Sequence, residues 1–171
     1  SYDEQPVLPE IDLSSLGESF TIKPAHGGGG VGVINEANSL RQVLIARQEF
    51  PTQRYLLQDY ILPACLGSRN AWFRVIYCTG KDYLCWWDNH THIYTYVTSD
   101  EETRYNLGSL RSITSSVAHL CGLTLFSTEI AITSDGRFVV VDYVNDPIDL
   151  RLQSKAFDGV PDDIVRDITE R

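Results

Sequence analysis

Residues 20–34 read FTIKPAHGGGGVGVI, and how their four adjacent glycines are explained decides the fold. The run before them, SFTIKP (19–24), alternates like a strand, and VGVI (31–34) is strand-like again. A P-loop needs Gly-Lys-Ser/Thr at its end, and here the loop ends Gly30-Val31-Gly32-Val33. Gly27, Gly29 and Gly32 fit GxGxxG, but that fingerprint requires a helix that begins inside the glycines. The third reading is a hairpin with a glycine tip. Without Cβ atoms its N–H groups approach an anion closely and form a concavity for phosphate. Lys23, on the entering strand, adds a point charge. A surface hairpin that binds nothing is the bland alternative. His26 touches a phosphate or merely stands at the bend.

Outward from this hairpin the chain punctuates itself clearly. Asn35–Phe50 places Leu40, Val43, Leu44 and Ile45 at helical spacing, with a capping box from Ser39 to Gln42. YLLQDYI (55–61) is rich in strand formers. AWFRVIY (71–77), YLCWW (83–87) and HTHIYTYV (90–97), joined by short turns, form an antiparallel meander. SDEETRY (99–105) is a charged loop. Leu107, Leu110, Ile113, Val117 and Cys121 mark a second helix, in which His119 is semi-buried. LFSTEIAIT (125–133) and RFVVVDYV (137–144) flank a Ser134-Asp135-Gly136 turn. The tail is polar with a short helix at Asp162–Arg171. The class is α+β with mainly antiparallel sheets.

The 171 residues suffice for a real core. No apolar run approaches the length of a membrane span, and SYDEQPVLPEIDL at the start is no signal peptide. Ser1 as first residue suggests that the natural chain begins earlier. Net charge is −9 with scattered Lys and Arg, which argues against a nucleic-acid surface. Cys65, Cys78, Cys85 and Cys121 lack CxxC spacing and read as buried free thiols of a cytoplasmic protein. His90 and His92 share a strand face but have no third ligand nearby, so strand surface is preferred over zinc.

Three stretches, in order and spacing, resemble the ATP-grasp superfamily of carboxylate–amine ligases. FTIKPAHGGGGVGV (20–33) is similar to its strand lysine and glycine lid. LLQDYI (56–61) is similar to its adenine hinge, and TEIAITSDGRFVVVDYVND (128–146) to its closing metal hairpin. The resemblance covers roughly residues 18–150. It implies two α+β subdomains with a nucleotide cleft between them. They would span a small lid-and-hinge part (19–61) and a larger metal-binding part (62–150), after an extended lead-in (1–18) and before a polar tail (151–171).

It also implies ATP and Mg²⁺ as cofactors, with Lys23, His26, Gly27, Gly28, Gly29 and Gly30 at the phosphates and Gln58, Asp59, Tyr60 and Ile61 at the hinge. Glu129, Asp142 and Asn145 are the metal candidates. Two carboxylates on facing strands and an amide three residues on are hard oxygen donors that suit Mg²⁺. The family's Glu-x-Asn is lengthened here to Asp142-Tyr143-Val144-Asn145, which leaves the nearer ligand open. Arg74 resembles the arginine of the strand after the hinge, and alternation puts it on one face with Trp72 and Ile76. Arg104 and Asn106 resemble the arginine and asparagine before the family's last long helix.

The implied reaction phosphorylates a carboxylate to an acyl phosphate, which an amine then attacks. The alternatives are an ATP-binding regulatory module, a fragment of a longer ligase, or a small-molecule kinase on the same fold. The expected partners are small carboxylate and amine substrates and an upstream domain of the same chain, with neither nucleic acid nor membrane. DPIDLR (146–151) stands where the family has a Pro-Gly loop. Asp149 and Arg151 in it form a substrate contact or an ion pair.

Overall fold

The computed structural model describes residues 11–26, 30–49, 51–144 and 147–171. Gly27, Gly28, Gly29 and Asn145 lie outside the described residues. The chain divides into two compact units, one up to Tyr60 and one from Ile61 to Arg171.

The first unit holds strands β1 (Phe20–Pro24), β2 (Ile34–Ala37) and β3 (Tyr55–Asp59), with helix α1 (Leu40–Glu49) after β2. The sheet is antiparallel in the order β2-β1-β3. Alternation sends Phe20 and Ile22 inward, where they meet Ala37, Val43 and Ala46. The register pairs Lys23 with Leu56 and Thr21 with Gln58, so these four share the opposite face. The segment 31–33, expected as strand, is instead a turn. The Val33 N–H bonds the Gly30 carbonyl at 3.1 Å, and Gly30 and Gly32 both have φ of 74°, a conformation that glycine alone adopts freely. At the start of α1, Gln42 reaches back as in a capping box. Its Oε1 takes the Asn38 N–H at 2.9 Å, and the Ser39 hydroxyl donates to it at 3.0 Å.

The second unit opens with a small hairpin, β4 (Cys65–Leu66) and β5 (Arg69–Asn70). Its main strands are β6 (Trp72–Cys78), β7 (Lys81–Trp87), β8 (Tyr94–Tyr96), β9 (Leu125–Ile132) and β10 (Phe138–Val144). They form one antiparallel sheet in the order β10-β9-β6-β7-β8. The meander expected over 71–97 is present, but its third strand is only Tyr94–Tyr96. Residues 88–93 are held as a turn by Asp88, whose carboxylate accepts the His90 and Thr91 N–H groups.

Both faces of this sheet are covered. Phe73, Val75, Leu84, Trp86, Ile130 and Ile132 pack against Leu110 of α3 (Gly108–Cys121) and against Leu107 at its N-cap. On the other face Ile76, Cys85, Trp87 and Tyr94 pack against the C-terminal segment through Val160, Ile164, Val165 and Ile168. The tail is therefore not merely polar. Its helix α4 (Asp162–Thr169) is apolar on the side that faces the sheet. Acids on α4 reach the strands, with Tyr83 and Lys81 donating to Asp167 and Tyr96 to Asp163.

Two expectations change in this unit. Residues 99–105, read as a loop, contain helix α2 (Ser99–Arg104). Thr98 accepts the Glu101 N–H while the Glu101 carboxylate accepts the Thr98 N–H, a reciprocal capping box that starts the helix. In α3 the buried stripe runs Leu110, Thr114 and Ala118. Cys121 and His119, expected inside, are exposed, because Thr114 turns inward and bonds the Leu110 carbonyl at 2.8 Å. All four cysteines are free, but only Cys78 and Cys85 are buried. No helix among the described residues is long and apolar enough to cross a membrane.

A β-bulge in β10 does most to shape the second unit. Val140 pairs with Ile130, but Asp142 pairs with Glu129, so Val141 is an extra residue. Strict alternation from Phe138 and Val140 would turn Asp142 toward α3. The bulge turns it to the other face, beside Glu129. The disturbed ladder is braced by Thr128, whose buried hydroxyl donates to the Asp142 carbonyl at 2.9 Å. Thr128→Val is nearly isosteric and leaves that carbonyl without this donor. It is expected to cost about 1–2 kcal/mol, read as a lower urea midpoint at unchanged slope.

Candidate functional site

The face of the second unit's sheet turned away from α3 carries a compact charged group. Arg74 sits at the centre of β6, opposite Cys85 on one side and Glu129 on the other. Its Nη1 donates to Glu129 Oε1 at 3.1 Å, and its Nε and Nη2 donate to Ser127 Oγ at 3.3 and 3.2 Å. The guanidinium also lies over the Trp87 ring, 4.7 Å from its centroid. The second oxygen of Glu129 accepts the Trp72 indole N–H at 3.1 Å. Period-two alternation makes this grouping. Trp72 and Arg74 are two residues apart on β6, Ser127 and Glu129 two apart on β9, and the strands are in direct register.

Asp142 faces Glu129 across the β9–β10 pair because of the bulge. It is exposed, and its Oδ1 accepts the Tyr143 N–H at 2.8 Å. The two carboxylates are thus cross-strand neighbours, as the sequence suggests, although Asp142 is not the buried acid that its apolar neighbours imply. As hard oxygen donors they suit Mg²⁺, which keeps several waters and phosphate oxygens as its other ligands. Among the described residues no group of three or more His, Cys, Asp or Glu is arranged to hold a metal ion.

Charges around this face act on one another. Burial, the largest cause, pushes the Tyr94 hydroxyl up to about 12, with Asp149 and Glu129 adding to the rise and Arg74 opposing it. Asp149 is held below the usual carboxylate range, first by its bonds from Arg151 and to a lesser extent by Arg74. The Asp149–Arg151 pair is real, with Nη2 to Oδ2 at 2.7 Å, and Arg151 also bonds Asp158 at 2.9 Å. His92 does not bind with His90. Its ring stacks on Trp87 at 5.4 Å between centroids.

Arg104 is not brought to this group. It ends α2 on the α3 side of the sheet, exposed, with its guanidinium over Tyr105 at 5.5 Å. Asn106 follows in a left-handed conformation, φ 53°. Trp72 and Ser127 are what sequence reasoning missed as polar partners. The available signal was a buried indole N–H, which needs an acceptor, two residues before the arginine.

In the first unit Lys23 and Gln58 share the sheet face that α1 does not cover, with Leu56 exposed between strand ends. His26 is exposed at the end of the entering strand. Gly30 begins the turn back. Asp59 closes β3 opposite Phe20. Tyr60 follows the strand, its N–H on the Ser19 carbonyl at 3.4 Å and its hydroxyl on Glu36 at 3.0 Å. Glu36 takes φ of 55° at a bulge in β2. Ile61 belongs to the second unit and packs on its core.

No family model matches the chain, and no curated protein does. Solved structures do. The ATP-grasp ligase PsnB, solved with a minimal precursor, Mg and ADP, is similar with a TM-score of 0.57 at 11% identity, over 92% of this chain and 47% of that one. A RimK-domain ATP-grasp protein from Sphaerobacter thermophilus gives 0.57 at 16% identity, over 92% and 53%. The macrocyclase MdnC from Microcystis aeruginosa, bound with precursor peptide MdnA, gives 0.58 at 10%, over 93% and 49%. The chain spans about half the length of these solved structures. With its mainly antiparallel sheets, this chain has the ATP-grasp fold over about half the length of those solved proteins.

Proposed function

We propose that the chain binds ATP with Mg²⁺ and forms the phosphoryl-handling part of a ligase that activates a carboxylate as an acyl phosphate for attack by an amine. The observation that supports this most is the arrangement of Arg74, Glu129 and Asp142 on one sheet face, with a bulge that turns the second acid toward the first. Arg74 keeps N–H groups beyond those given to Glu129 and Ser127, and offers them to the transferring phosphoryl group and the acyl carboxylate. Ser127, Trp87 and Glu129 hold that guanidinium in place before any substrate arrives, so its orientation costs nothing at the moment of reaction. Glu129 and Asp142 are the metal-holding pair. When bound, Mg²⁺ offsets the charge of the phosphate oxygens.

In the first unit Lys23 meets a phosphate, the backbone around Gly30 covers it, and His26 stands close by. Gln58 reaches the ribose beside Asp59, while the main chain at Tyr60 and at Ile61, the first residue of the second unit, presents an N–H and a C=O to adenine. Arg104 is assigned to the phosphate or substrate side only through the resemblance. The free thiols suit a reducing compartment such as the cytoplasm.

The test is a thermal shift with ATP and MgCl₂. Native-state binding at 100 times Kd adds about 2.7 kcal/mol of stability, a rise of several degrees. Lys23→Ala should weaken ATP at least tenfold and cut that rise. An equal rise in Lys23→Ala removes the lysine from the site, and no rise in the wild-type chain removes the reading. A nucleotide-binding module without turnover is the second reading. It is favoured by the fact that both Glu129 oxygens already accept bonds from Trp72 and Arg74. ADP release in the presence of carboxylates and amines separates the two.

A further inference from the structure

We infer that Trp72 is a positioning residue for the metal-holding carboxylate of Glu129, acting through its indole N–H. This rests on the reading of Glu129 given above. A glutamate on a strand has three rotatable side-chain bonds, and a cation that takes only two protein oxygens is sensitive to where they point. Glu129 is pinned at both oxygens, Oε1 by Arg74 and Oε2 by Trp72, each at 3.1 Å. The two donors differ in kind. Arg74 is a charge that has further partners in Ser127 and Trp87, and in the proposed reaction its remaining N–H groups also serve the phosphoryl group. Trp72 is neutral, buried at 7% exposure, and packed among Ile76, Trp87 and Ala131. Its ring cannot follow a moving ligand.

The indole therefore fixes one edge of the carboxylate plane whatever Arg74 is bonded to, on a residue that is paired in register with Asp142. A neutral donor also draws less negative charge from the carboxylate than a second cation would, so the acid stays a good ligand. Hydrogen-bond partners of metal-ligating carboxylates set affinity in this way, and their loss typically costs about 10–100-fold.

The full chain is titrated with Mn²⁺ alone, and free Mn²⁺ is counted by its EPR signal, in the wild type, Glu129→Gln, Trp72→Phe and Ile164→Ala. Ile164 lies in the same apolar cluster as Trp72 but far from the carboxylates in sequence, on α4, and its truncation reports what loss of stability alone does. Trp72→Phe keeps a ring in the core and removes the donor. The expected result is a Mn²⁺ Kd about tenfold weaker in Trp72→Phe, weaker still in Glu129→Gln, and unchanged in Ile164→Ala. If Glu129→Gln weakens binding while Trp72→Phe binds as the wild type does, Trp72 has no positioning role and the reading of Glu129 stands. If Glu129→Gln also binds like the wild type, both fall. Should Trp72→Phe not fold, the indole N–H resonances of the wild-type protein carry the test. The Trp72 signal must shift with diamagnetic Mg²⁺ over the same concentrations that fill the site, and a stationary signal overturns the assignment.

Discussion

Arg74→Met is expected to destabilise the second unit by about 3 kcal/mol and, on the function proposed above, to abolish turnover. Arg74 and Glu129 are 16% and 18% exposed, so water compensates little when one partner is lost. Methionine roughly preserves the aliphatic stem that runs beside Trp87. What disappears is the charge opposite Glu129, the two donors on Ser127, and the cation over the indole. Glu129 would then be left with the Trp72 N–H as its one named donor. Most of the cost is that uncompensated acid, and not the worth of the pair itself. Adding Glu129→Gln to Arg74→Met should therefore recover most of the lost stability in urea titrations, with no recovery of activity. A double variant no more stable than Arg74→Met would mean that packing, and not charge, sets the cost.

Gly159→Ala is the second change with a large expected effect. A Cβ at that position would stand 2.5 Å from the Arg151 carbonyl oxygen and 2.7 Å from the carbon and oxygen of Leu152. These are backbone atoms, and both sides of the contact are pinned. Val160 N–H bonds the Arg151 carbonyl at 2.8 Å, Gln153 N–H bonds the Val160 carbonyl at 2.8 Å, and Arg151 is tied to Asp149 and Asp158. Relief requires the two chain segments to part and to pull Val160 out of the core beneath α4. A loss of about 3 kcal/mol is expected, at the upper end of ordinary overpacking. Hydrogen exchange should locate it, with faster exchange at the amides of 151–169 and little change in β6 and β9. Uniformly faster exchange would mean that the C-terminal segment does not unfold as a separate step.

Most strands were legible in the sequence because each is short, alternating and bounded by turn residues; β2 was not, since Asn35–Ala37 were read into the following helix, nor was the short β4–β5 hairpin. AWFRVIY fixed both its strand and the shared face of Trp72, Arg74 and Ile76. The resemblance supplied the fold to which the separate strands and helices belong. Three further features were not legible, for separate reasons. Helix α2 was hidden by its charge, although Thr98-Ser99-Asp100-Glu101 spells the capping box that begins it. The covering role of residues 147–171 was hidden because Val160, Ile164, Val165 and Ile168 are widely spaced among acids, and only the fold shows that they share one surface.

The bulge at Val141 was hidden because alternation in FVVVDYV has no local break. It is set by which partner each side of the strand finds, Val140 with Ile130 and Asp142 with Glu129. On the site itself, the sequence led to Arg74, Glu129 and Asp142 separately. Register alone brings them together, and it also leaves Arg104 on the other side of the sheet.

The central claim is that metal–nucleotide lies on the Arg74 face of the second unit's sheet. Paramagnetic broadening of amide NMR signals by substoichiometric Mn²⁺·ATP addresses it directly. The expected result is selective loss of signal at residues 127–129 and 141–144, with the amides of α3 sharp. Broadening centred on α3, or on no particular residues, would contradict it.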